Sequence, residues 1–146
     1  MADPTISTNL NIWAAHDEMA KDLAELEQVV QSNWPTESQT LLNQLDSLRT
    51  ILAAHFRLEE NGGYMATVLQ RAPQLQKRVS KLLLQHRTIA ESLDELIKAV
   101  HVGDFKTAAP SVRAELKSWL RHLREHESEE NRLLVEVFNY DMSPED

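Results

Sequence analysis

The sequence predicts an all-α fold, an antiparallel up-down four-helix bundle, as a single domain over residues 1–146. Three observations carry this reading. The chain holds only three Gly and five Pro, and they punctuate it: Pro4, Pro35, Pro73 and Pro110 stand near the starts of four long segments, Gly62-Gly63 and Gly103 near the ends of two. Between these marks the helix formers Leu, Ala, Glu, Gln and Lys dominate. Apolar residues recur in alternating steps of three and four, and the period-two alternation of a half-buried strand is missing.

The segments follow in order at roughly 7–32, 36–60, 73–101 and 110–139. The first carries the seam Ile12, His16, Met19, Leu23, Leu26, Val30. The second carries Leu41, Leu45, Leu48, Leu52, His55, Glu59. Its end leads into residues 61–72, the longest connection, with room for a short helical turn. The third segment gives Leu75, Val79, Leu82, His86, Ile89, Leu93, Leu96, Val100. The fourth gives Val112, Leu116, Trp119, Leu123, His126, Glu130, Leu133, Val137. Four such stripes with mostly short connections pack as neighbouring antiparallel helices.

Six seam positions break the apolar rule: His16, His55, Glu59, His86, His126 and Glu130. A buried carboxylate must be paired, protonated or bound to a cation. These six share a height. His16 lies about eighteen residues before the Trp34-Pro35 turn and His55 about twenty after it; His86 lies about seventeen before Gly103 and His126 about sixteen after Pro110. With helices rising about 1.5 Å per residue, the four histidines fall in one layer. Each Glu follows its His by four residues, on the same face one turn on. The halves also resemble one another: the segment from His16 to Leu26 aligns with His86 to Leu96 without a gap, and His55 and Glu59 recur 71 residues later as His126 and Glu130. An approximate two-fold arrangement about the layer follows.

Imidazole with carboxylate suits iron, manganese or zinc. Six inward donors exceed what one tetrahedral zinc needs, whereas two carboxylates from opposite helices can bridge a pair of ions. The competing reading is a metal-free polar core in which His and Glu satisfy one another. His122 stands about 40° off the seam, where it is either solvated or an alternate ligand. His101, at the end of the third segment, suits the negative end of the helix dipole. Glu60 and Glu129 read as surface acids. Trp13, Trp34, Trp119, Phe56 and Phe138 read as packing. Tyr64 either packs or covers the open end of the site and donates a hydrogen bond to bound oxygen. The acidic tail from Asp141 to Asp146 reads as a frayed terminus.

Composition excludes several classes. A net charge of −8, spread along the chain, repels phosphate backbones and argues against a nucleic-acid partner. The chain has no cysteine, which removes disulfides, thiolate metal sites and cysteine nucleophiles. No apolar run approaches the length of a membrane span, and Met1 to Asn11 lacks the pattern of a signal peptide, so a cytoplasmic location without membrane contact is expected.

At these residues the chain resembles the hemerythrin-like, HHE cation-binding family, from about Asn9 to Phe138. The pattern of one His in each of four helices, with a carboxylate after the second and fourth, is carried by His16, by His55-Phe-Arg-Leu-Glu59, by His86 and by His126-Glu-Ser-Glu-Glu130. The resemblance implies two non-haem iron ions, oxo- or hydroxo-bridged, with these six residues as ligands, the two Glu as bridges, and O2 or NO as small-molecule partners; manganese or zinc are possible substitutes. Hemerythrin proper has a fifth histidine one turn from that of the third helix. Leu82 and Ala90 occupy those positions here, which disfavours reversible O2 carriage. The four-His, two-Glu set looks more like the family's iron- and oxygen-sensing domains, and is similar to di-iron proteins of nitrosative-stress response and iron-centre repair. The repair proteins add a cysteine-bearing part that this sequence lacks. Sensing of, or reaction with, O2, NO or iron is the leading expectation. A redox enzyme acting on peroxide, NO or ferrous iron comes next, beside an O2 carrier, and a metal-free interaction bundle last. No protein partner is legible.

Overall fold

The computed structural model describes residues 4–61 and 63–138, with side chains from His16 onward. The helices are α1 (Pro4–Ser32), α2 (Ser38–Glu60), α3 (Tyr64–Arg71), α4 (Gln76–His101) and α5 (Phe105–Phe138), with a 3-10 turn over Pro73–Leu75 before α4. Around the bundle the long helices neighbour one another in chain order, α1 with α2, α2 with α4, α4 with α5, and α5 back to α1. The seams face inward as the period requires. From His16 to Glu130 their residues are buried, apart from half-buried Leu75, and Val137 near the end of α5 is also half-buried. Ile12, Trp13 and the acidic tail fall outside the described side chains.

Three boundaries differ from the sequence expectation. The connection after α2 is not a single turn but the two-turn helix α3, which touches all four long helices. The first helix begins at Pro4. The last begins at Phe105, so Pro110 lies inside α5 rather than near its start. Asp104 explains this start: its carboxylate accepts from the Lys106 N–H at 3.2 Å and from the Thr107 hydroxyl at 3.1 Å. This cap starts the helix one turn and more ahead of Pro110, whose missing N–H leaves one carbonyl of the first turns without its usual partner. Just before it, Gly103 takes a φ of 82°, the left-handed turn that ends α4. At the same end of the bundle Arg113 donates to the Val30 and Gln31 carbonyls at 2.7 and 3.0 Å, satisfying the last turn of α1.

Gly63 is required for a different reason. A Cβ there would stand 2.1 Å from the Leu58 carbonyl oxygen and 2.6 Å from that of Glu59. The missing side chain lets the chain double back against the end of α2 and enter α3 directly. Gly63→Ala must displace backbone, and thermal denaturation is expected to show a loss of about 1–3 kcal/mol. Equal melting of G63A and the parent chain would refute the close approach.

Two apolar clusters fill the bundle. The larger runs from Met19 and Phe56 through Leu45 and Leu93 to Leu123. The smaller, Tyr64, Met65, Val68, Val79, Leu82, Leu133, Leu134 and Phe138, lies under α3. The polar layer sits between them, one seam step from Met19, Leu52, Ile89 and Leu123 on one side and from Leu82 and Leu133 on the other. Among the described residues no helix is long and apolar enough to cross a membrane.

Candidate metal centre

All six seam-breaking residues meet in this layer. His16, His55, His86 and His126 are 6 %, 5 %, 3 % and 2 % exposed, and Glu59 and Glu130 are fully buried. They form two overlapping groups whose donor atoms lie within 4.8 Å of one another: His16, His55, Glu59 and Glu130 in one, and Glu59, His86, His126 and Glu130 in the other. Each group takes one histidine pair from one half of the chain, and both groups share the two carboxylates.

The carboxylates divide their oxygens between the groups. Glu59 turns Oε2 to His16 Nε2 (2.9 Å) and His55 Nε2 (3.4 Å), and Oε1 to His86 Nε2 (3.1 Å). Glu130 turns Oε2 to His16 Nε2 (3.4 Å), and Oε1 to His86 Nε2 (3.0 Å) and against His126 Nε2. One oxygen to each side is how a carboxylate spans two cations.

The outer nitrogens are held as a ligand shell requires. His16 Nδ1 donates to Asn131 Oδ1, His86 Nδ1 to Glu60 Oε2 and His126 Nδ1 to Gln85 Oε1, each at 2.7 Å. With the proton fixed on Nδ1, each Nε2 lone pair faces the centre. Nε2 of His55, Nε2 of His126 and Oε1 of Glu59 are buried without a hydrogen bond of their own. These atoms have only ion-pair neighbours across the layer, and their convergence on two points fits cations there.

Electrostatics agree. Burial works against the His16 imidazolium, but the carboxylates of Glu130, Glu59 and Glu127 outweigh it and raise the pKa to about 11. The same opposition lifts His55 to about 9, through Glu127 and Glu59, and His86 to about 10, through Glu130 and Glu59. For Glu130, burial favours the neutral acid, yet its hydrogen-bond partners Glu59, His126, His16 and His86 hold it well below the usual carboxylate range. The layer therefore demands positive charge, as protons or as metal.

Sequence reasoning missed part of the surround. Glu60 is exposed, as a surface acid should be, but its carboxylate reaches across to His86. Asn131 and Gln85 carry no ligand signal and were overlooked, as was Glu127, which lies 3.6 Å from His55 Nε2 and 3.7 Å from His16 Nδ1. Glu129 pairs with Lys81 at 3.6 Å, away from the centre. His122 and His101 are exposed and belong to neither group. Phe56 packs its ring flat on His86 at 3.9 Å. Tyr64 packs as expected, fully buried in the cluster under α3, and its hydroxyl donates to the carboxylate Oε2 of Glu130 at 2.8 Å. Burial and the Glu130 and Glu59 charges push its pKa up, so it stays a donor. Tyr64→Phe keeps the packing and removes that bond to a charged acceptor. A loss of about 1.5–3 kcal/mol in thermal unfolding, with helicity unchanged, is the expected result.

The fold and this layer define a helical-bundle protein whose core gathers buried His and Glu donors compatible with metal binding. The family model described as Hemerythrin HHE cation binding domain matches residues 10–138. The chain belongs to that family. No curated protein and no solved structure matches it.

Proposed function

We propose that this chain binds two non-haem iron ions through His16, His55, Glu59, His86, His126 and Glu130, and that the centre senses or reacts with O2, NO or iron supply. The observation that supports this reading most is the sharing of both carboxylates between two histidine pairs. When bound, the ions supply a redox-active centre able to take a small ligand. The donor set itself suits iron, manganese and zinc alike; iron is the reading drawn from the family.

The residues around the layer keep it ready. Asn131, Glu60 and Gln85 hold three imidazoles by their outer nitrogens. Tyr64 steadies Glu130. The apolar cluster under α3 excludes water from one side. Because metal must displace protons from the raised histidines, loading releases protons and favours higher pH. Loss of metal would return charged groups to a buried layer and loosen the bundle, a route by which the centre signals its state.

The test is anaerobic purification from iron-supplemented cells, followed by metal analysis and visible spectra before and after air. About two irons per chain, with a new absorption band on exposure to air, would support the reading. A protein that stays metal-free after reconstitution with iron would show that the layer is a polar core.

A further inference from the structure

Glu127 belongs to neither donor group, yet its Oε1 is buried without a hydrogen-bond partner, as is the neighbouring Nε2 of His55. The two atoms lie 3.6 Å apart, on side chains only 12 % and 4 % exposed. A carboxylate oxygen and a ring nitrogen 3.6 Å apart, with no hydrogen bond between them, leave room for one cation that both can face. Two donors each about 2.1 Å from an ion at right angles stand about 3 Å apart, so a small side-chain adjustment brings this pair to bonding geometry.

The internal repeat sharpens the point. At the 71-residue offset that relates His55 to His126, the counterpart of Glu127 is Phe56. Phe56 lies on the other histidine pair, flat on His86 at 3.9 Å and edge-on to His126 at 5.8 Å. One pair is thus approached by a carboxylate and the other by an aromatic ring. A groove between α1 and α5, lined by His16, Ala20, Arg124, Glu127, Ser128 and Asn131, reaches the carboxylate from the surface.

We propose that Glu127 is a seventh metal ligand, a terminal carboxylate on the ion held by His16 and His55. The inference rests on the dinuclear reading above. It makes the two positions unlike: the ion on His86 and His126 keeps fewer protein donors, so a small ligand binds there.

The competing role for Glu127 is that of a mere counter-charge to the His55 and His16 imidazoliums, and a binding experiment separates the two. The chelator-stripped full chain is titrated anaerobically with Co2+, following heat and visible absorption, for the parent, Glu127→Gln and Glu136→Gln. The last removes the same charge from an exposed acid paired with Arg78. In E127Q, one of two cobalt ions should bind about 100-fold more weakly, the upper end of what losing even an outer-shell partner costs. The other ion should keep the parent affinity, helicity should be unchanged, and E136Q should match the parent. Parent-like binding of both ions by E127Q overturns the proposal. So does equal weakening of both ions, the mark of a charge effect. A parent chain that takes no cobalt overturns the dinuclear reading itself, and the seventh ligand with it.

Discussion

Glu59→Gln is expected to drop metal content from about two ions per chain to well below one, whereas His126→Gln should leave about one. The contrast follows from how the donors are divided. Glu59 belongs to both groups, with Oε2 2.9 Å from His16 and Oε1 3.1 Å from His86. Its amide replacement keeps the shape, removes the charge that both positions share and turns one of the two oxygens into an NH2 that cannot bind a cation, so the side chain no longer spans both positions. His126 belongs to one group only, and its loss leaves His16, His55 and both carboxylates in place. Glu59→Gln should also weaken the metal-free fold, because it strips countercharge from buried imidazoliums. Breaking such pairs costs about 3–5 kcal/mol, on the order of 10 °C in melting temperature for a chain of this size. Metal analysis beside circular dichroism reads both effects. If the two variants retained equal metal while folded, the shared-carboxylate arrangement would be wrong.

The bundle and the six layer residues were legible because both follow from helical period. A His or Glu at a seam position must be buried, and counting from the turns sets its height. What stayed hidden lies off the seam. Asn131, Gln85 and Glu60 matter through the outer nitrogen of a histidine on another helix, and the register between helices is not written in a single seam. Glu127 was passed over because it lies off the seam, one residue after a ligand; from there it meets the other pair. Pro110 misled by rule, since a proline near a helix start is the common case, while Asp104 capped the helix earlier. The Gly62-Gly63 pair read only as the end of a helix, because the need at Gly63 is a steric contact with the α2 backbone, visible only once the chain has turned.

The second large effect is in pH. Stripped of metal, the protein should lose stability steeply as pH rises from about 7 to 10, while the metal-loaded form should change little. In the folded apo state His16, His86 and His55 hold protons with pKa values raised to about 11, 10 and 9, against about 6.5 in the unfolded chain. A raised histidine contributes stability that is complete below the unfolded pKa. That contribution is lost as pH climbs through the folded value, because across the window the native state binds more protons than the unfolded one. Each such proton is worth about 1.4 kcal/mol per pH unit. At the acid end the sign reverses for Glu130: its pKa is depressed in the fold, so its contribution is present above the ordinary carboxylate pKa and disappears as pH falls below it. The apo protein should therefore be most stable in the mildly acidic range. Metal replaces the protons on the histidine nitrogens, so the loaded protein has no such protons to lose above neutrality and its melting temperature should stay nearly flat there. The gap between the two forms should widen with every unit of pH from 7 upward. Melting both forms across pH 5–10 reads this directly. Parallel curves would mean that metal and protons do not compete for the same nitrogens, and that the imidazoles of this layer are not the donors.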